Sequence, residues 1–239
     1  MASSTARKKI RPLVALRAIR ALIQDPDDTR KVFEVIDALS GSALERAFRR
    51  FRGTETGRRL LEERPDLLAV LSDRERLLAM RVGTLGRAYG EFVHREQLSA
   101  DGLVEASMTA EELDPTIPEE RFWFGERLRD MHDLWHVVTG YNRDLIGEAA
   151  LLSFTYAQVR NRGVGLIVLA AYLQANGEIR WARKVMRDAY RRGNRAAWFA
   201  GQDWEALLER PLAEVRRDLG VEALPVYQEI RSEGAPSLA

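Results

Sequence analysis

From Met131 to Glu148 the chain reads Met-His-Asp-Leu-Trp-His-Val-Val-Thr-Gly-Tyr-Asn-Arg-Asp-Leu-Ile-Gly-Glu, and this stretch constrains the fold more than any other. The run from Pro118 to Val138 has no internal proline and predicts one helix. At about 100° per residue, His132 and His136 share a face one turn apart, and Asp133 borders that face. Two imidazoles at this spacing can hold one divalent cation. On a straight continuation, Glu148 would sit about 18 Å further along the axis and about 120° round from His136. It can approach the histidines only if the chain reverses. Thr139 to Asn142 supplies the place, because Gly140 suits a left-handed C-cap and Asp144 suits the N-cap of a second helix. Glu148 then falls in the first turns of that helix. The same residues also fit a structural or exposed histidine pair, with Asp133 a solvated charge and Glu148 an ordinary helix former.

The rest of the chain predicts a helical body. Pro12 to Ile23 has Leu13, Leu16, Ile19, Leu22 and Ile23 at helical spacing with Arg11, Arg17 and Arg20 between them. Such a helix either faces the core with a solvated basic edge or lies on an anionic membrane. Asp25-Pro26 predicts an N-cap and first helical position for a helix running to Leu39. Ser42, Thr54, Asp66 and Ser72-Asp73 open shorter helices, and Gly83 to Gln97 a longer one. The remaining histidine of the chain's three, His94, lies in it beside Arg95 and Glu96 and is expected at the surface. Ser99 to Met108 is rich in small residues, and Asp114 to Pro118 is a linker leading to the histidine helix. Phe122, Trp123 and Phe124 span more than one helical face, so they must meet a second element or a ligand. The run Val164 to Leu173 fits a buried helix or strand, and beside the Glu148 helix it could wall an apolar tunnel. Glu178 to Arg195 carries a basic stripe: Arg180, Arg183, Lys184, Arg187, Arg191, Arg192 and Arg195. Asp203 to Leu219 predicts two short helices around Pro211.

Composition excludes several classes. Among 239 residues, 46% are hydrophobic and 31% charged, which suits a globular chain rather than a disordered one. There is no cysteine, so any metal must be held by nitrogen and oxygen. A net charge of +1 and the lack of a nucleic-acid motif argue against nucleic acid as partner. The start shows no secretory pattern, and no apolar run is long enough to span a bilayer. The expected location is cytoplasmic, with peripheral contact on the inner face of the membrane. No dinucleotide fingerprint or Gly-x-Ser-x-Gly motif appears.

The pattern His-Asp-x-x-His-x(11)-Glu, with Thr-Gly-Tyr and Arg-Asp inside it, resembles the ubiquinone (coenzyme Q) biosynthesis family of the Coq4 type. The likeness continues in Asp25 to Gly41, Gly57 to Leu67, Thr84 to Tyr89 and Asp203 to Leu207, and covers about residues 12 to 230. It implies an all-α fold, a single multi-helix domain over residues 12–231 between a disordered leader (1–11) and a frayed tail (232–239). It also implies a zinc-like site at His132, Asp133, His136 and Glu148 beside a cavity for a polyprenyl lipid, with iron or manganese as other candidate metals. The implied substrate is a polyprenylated 4-hydroxybenzoate-type quinone precursor, and the implied partners are other ubiquinone-biosynthesis proteins. Surface apolar helices are compatible with a homodimer.

Three functions follow from these readings. The first is metal-dependent decarboxylation at C1 of the precursor ring, with or without oxidation. The second is a non-enzymatic scaffold that holds the lipid and organises other enzymes. The third is a metal-dependent phosphohydrolase using His94, His132-Asp133 and a later aspartate such as Asp203, which would leave His136 and Glu148 idle.

Overall fold

A computed structural model describes residues 9–26, 28–97 and 117–231. The expected leader through Lys8, the segment Ser99 to Met108, the start of the linker and the tail from Ser232 lie outside the described residues. Among the described residues there is no strand; one isolated bridge joins Thr84 and Pro211. The fold is all-α: the described residues form fourteen α-helices and two short 3-10 turns in one domain.

The first layer is α1 (Pro12–Gln24) and α2 (Thr29–Leu39). Ala18, Ile19, Leu22 and Val35 pack there against Ile167 of α11 (Arg162–Gln174). Helix α2 is capped by Asp28, whose carboxylate accepts from the Lys31 N–H at 3.2 Å. The expected cap, Asp25, instead ends α1, its N–H donating to the Ala21 carbonyl. Because α1 runs to Gln24, Asp25-Pro26 is consumed as the connection. The apolar run at Val164 to Leu173 is helical, within α11. Gly163 explains how α11 comes so close to α2. A Cβ there would stand 2.4 Å from Ile36 Cα and 2.6 Å from the Val35 carbonyl oxygen, both backbone. Gly163→Ala is therefore expected to push the two helices apart and destabilise the protein by about 1–3 kcal/mol in a urea titration.

Helices α3 (Ala43–Arg52), α4 (Glu55–Glu63), α5 (Leu67–Ser72), α6 (Arg74–Ala79) and α7 (Leu85–Arg95) follow as short pieces; Thr54, Asp66, Asp73 and Thr84 cap the last four with their side chains, whereas Ser42 precedes α3 without a side-chain capping bond. Helix α8 spans Glu119–Asp130 and α9 spans His132–Thr139. The single helix expected over 118–138 is thus two, with Met131 (ψ −4°) as the joint. The joint places Asp133 in the first turn of α9, where the helix dipole favours an acidic side chain. The aromatic trio divides as its spacing requires. Phe124 is buried against Phe51, Trp123 packs on Phe51 and Phe122 faces a cavity.

Helix α10 (Leu145–Val159) lies along α12 (Ala182–Arg195), with Gly193 against the backbone of Phe154. Helices α13 (Trp204–Leu208) and α14 (Leu212–Asp218) flank Pro211 and close the main core. That core joins Leu134, Trp135 and Val138 of α9 to Leu151 and Phe154 of α10, and to Phe199, Trp204 and Val215. The histidine helix is therefore held by the core on one side.

Candidate metal centre and its cavity

Helix α9 ends at Gly140, whose left-handed conformation (φ +76°) lets its N–H close on the His136 carbonyl. The chain then turns through Tyr141 to Arg143. Buried Asp144 starts α10 by accepting from the N–H groups of Ile146 and Gly147 at 3.0 and 3.2 Å. Two further donors reach the same carboxylate from the C-terminal segment, the Tyr227 hydroxyl at 2.9 Å and the Ile230 N–H at 3.2 Å. Gly147 is required inside this knot, because a Cβ would meet the Asn142 carbonyl oxygen at 1.9 Å and the Tyr227 hydroxyl at 2.6 Å. At the other end of the turn, Arg192 donates to the Thr139 carbonyl and Arg216 to those of Val137 and Val138. These guanidiniums satisfy the open carbonyls of α9 and suit its negative end. Arg192 of the basic stripe thus points inward. Arg183 binds the Tyr172 carbonyl, and Lys184 and Arg191 pair with Asp188.

The reversal sets Glu148 against both histidines. Its carboxylate oxygens lie 3.4 Å from His136 Nε2 and 4.0 Å from His132 Nε2. His132, Asp133 and His136 each offer one ligand atom within 4.8 Å of the others. Asp133 also lies 3.1 Å from His132 Nδ1. His136 is buried; its Nδ1 donates to the Tyr141 carbonyl at 2.8 Å, and its ring stacks on Phe92. That bond fixes the tautomer and leaves Nε2 with a lone pair.

His136 Nε2 is buried and has no hydrogen-bond partner. A buried lone pair beside a second imidazole and two carboxylates is a poor arrangement unless a cation or proton lies among them. The donor set, two imidazoles and two carboxylates, fits a small divalent ion such as zinc, iron or manganese. Burial opposes the charged forms of Asp133 and Glu148. The facing histidines and Arg143 outweigh it, and both carboxyls titrate below their ordinary range. For His136 burial pushes the imidazolium down, and Glu148 and Asp133 more than reverse that, so its pKa lies above the usual value.

This cluster opens on a cavity of about 1100 Å³. Its walls are largely apolar, with Ile36 and Phe122 among them, and Leu152 and Ala170 on α10 and α11. His132, Asp133, Arg143 and Glu148 supply its polar end. Arg143, which spacing alone did not single out, stands 3.3 Å from Glu148 through Nε, and its Nη groups carry no hydrogen bond among the described residues. His94 is exposed and bonded to Arg74, and Asp203 caps α13 and pairs with Arg59. Neither is among the three residues, His132, Asp133 and His136, whose ligand atoms lie within 4.8 Å of one another.

An all-helical body with a nitrogen- and oxygen-donor cluster at one end of an apolar cavity defines a helical protein with a candidate metal centre. The family model of the Coenzyme Q (ubiquinone) biosynthesis protein Coq4 matches residues 5–225, and the chain belongs to that family. The chain is similar to the mitochondrial ubiquinone biosynthesis protein COQ4 of Yarrowia lipolytica, 30% identical over 75% of this chain and 67% of that protein. It is 33% identical to coq-4 of Neurospora crassa over 74% of this chain, a match that takes in 49% of the longer relative. A crystal structure of a Nostoc punctiforme protein provisionally assigned to ubiquinone biosynthesis shares the fold (TM-score 0.66, 19% identity), covering 90% of this chain and all of that one.

Proposed function

We propose that this protein acts in ubiquinone biosynthesis as a metal-dependent decarboxylase of a polyprenylated 4-hydroxybenzoate-type precursor. The observation that carries the reading is the meeting of His132, Asp133, His136 and Glu148 at the polar end of an apolar cavity large enough for a prenylated ring. A divalent ion held by these four side chains would supply Lewis acidity toward a carboxylate or phenolate oxygen. The chain's own residues do the rest. The Tyr141 carbonyl holds the His136 tautomer, Arg143 offers a guanidinium to an anionic head group, and the apolar walls exclude water from it. Replacing the C1 carboxylate by a proton releases carbon dioxide and needs no oxidant. Replacing it by hydroxyl needs a two-electron oxidant, either dioxygen or a partner protein of the pathway. The test is release of carbon dioxide from a prenylated 4-hydroxybenzoate labelled at the carboxyl carbon. Turnover by the parent and its loss in His136→Ala support the reading. Silence with zinc, iron and manganese, and with pathway enzymes added, would contradict it.

Peripheral membrane contact belongs to the same proposal. No helix among the described residues is long and apolar enough to cross a membrane. Leu13, Leu16 and Ile23 of α1 and Leu169 and Leu173 of α11 are nevertheless exposed, with Arg17 and Arg20 beside the α1 leucines. Ile23 also lines the cavity, so the greasy surface adjoins its wall. An anionic bilayer matches both the apolar and the basic side chains. The parent is expected to float with phosphatidylglycerol vesicles, and Leu13→Glu with Leu16→Glu to remain in the soluble fraction. If the lipid is bound without turnover, the protein acts as a scaffold presenting it to other enzymes.

A further inference from the structure

We infer that Tyr227 is a positioning residue for the metal centre. Its hydroxyl, carried on the segment 221–231 that straps the outside of the hairpin, sets where Glu148 stands against the two histidines. The inference rests on the metal reading of the cluster and concerns a side chain outside the ligand set.

Each side of the hairpin is held by a residue of the turn. His136 Nδ1 donates to the Tyr141 carbonyl at 2.8 Å, and the Glu148 N–H donates to the Asp144 carbonyl at 2.8 Å. The Tyr227 hydroxyl enters between these two anchors. It accepts from the Asn142 N–H at 2.9 Å and donates to Asp144 Oδ2 at 2.9 Å, while its ring lies 6.3 Å from that of Tyr141. An ordinary helix cap needs only Asp144 Oδ1, which takes the N–H groups of Ile146 and Gly147. The tyrosine adds nothing to that cap; it joins the second carboxylate oxygen to the backbone of the turn. Asp144 is 1% exposed, so losing the hydroxyl strips a donor from a buried carboxylate and an acceptor from the Asn142 N–H at one stroke. The core, Arg192 and Arg216 fix α9. A turn that rearranges therefore moves the first residues of α10, where Glu148 lies. The strap that delivers the hydroxyl is itself tied at both ends. Arg192 donates to the Val221 carbonyl at 2.6 Å, and Arg231 pairs with buried Glu96 at 3.2 Å. Between those ties the Glu229 carboxylate accepts from the Asn142 side chain, and the Leu145 N–H donates to the Ile230 carbonyl at 2.8 Å.

The test is cobalt binding by the full chain, read by isothermal titration and by visible absorption, in the parent and in Tyr227→Phe. Phenylalanine keeps the ring beside Tyr141 and deletes the hydroxyl. The variant should bind cobalt about 10-fold more weakly or worse. At saturating cobalt its visible band should be weaker and shifted, because a carboxylate displaced from the ion is replaced by water and the coordination geometry changes. A role in folding alone would lower the melting temperature and leave both the affinity and the band of the folded protein as in the parent. That result would overturn the inference and leave the metal centre standing. If Tyr227→Phe does not fold, Glu96→Gln carries the test, since it loosens the strap at Arg231 and leaves every bond of the turn in place. It should move both readouts in the same direction by a smaller amount, and an unchanged affinity and band would overturn the inference. A parent that binds no cobalt would overturn the metal centre and the inference together.

Discussion

Replacing Arg127 with alanine is expected to lower the unfolding free energy by about 3–5 kcal/mol. Its side chain is 1% exposed, and both terminal nitrogens lie 2.6 Å from the Glu205 carboxylate in a two-pronged pair. The guanidinium also sits 5.5 Å from the Trp123 ring centre. Alanine leaves a half-buried carboxylate facing an apolar hole. The effect is one of breaking the pair more than of losing its net worth. The double change Arg127→Met with Glu205→Leu should therefore recover most of the loss in a denaturant titration. The pair matters to the site because it ties α8 to α13, and α8 leads through Met131 into the histidine helix.

The second large effect is on metal affinity. If four ligands share roughly 10–16 kcal/mol of binding, His136→Ala should weaken zinc binding by on the order of a hundredfold or more. Isothermal titration against a competing chelator measures it. The same titration carries a pH signature. In metal-free protein His136 holds its proton more tightly folded than unfolded. That contribution is present below the unfolded value of about 6.5 and is lost as pH rises through the higher folded value. Glu148 has the opposite sense: its contribution is present above its unfolded value of 4.5 and is lost as pH falls toward the depressed folded one. The metal-free protein should thus lose stability from this pair above about pH 6.5, where the metal displaces a proton less and less. The gain in melting temperature on adding zinc should grow between about pH 6 and 8. A gain that shrinks over that range would contradict the assignment of His136.

The turn between the histidines and Glu148 was legible because its causes are local. A glycine at +76° and an aspartate capping two N–H groups act over a few residues, and both are written at Gly140 and Asp144. The break at Met131 was not legible. No proline or glycine marks it, and Met131 is completely buried in the core. Asp25 and Asp28 were equally good caps by type, and what decided between them was how far α1 runs. Tyr227 and Arg192 escaped notice for a different reason. Their bonds to the hairpin bridge 83 and 53 residues, and no local pattern announces a partner so distant. The cavity belongs to the same group, since α1, α2, α8, α10 and α11 all contribute walls.

Metal content per chain is the most direct test of the account. Protein purified without a histidine tag, analysed by plasma mass spectrometry beside His136→Ala and Glu148→Ala, should carry about one zinc, iron or manganese per chain. Both variants should lose it while remaining helical by circular dichroism. No stoichiometric metal in the parent, even after reconstitution with each ion, would contradict the metal centre.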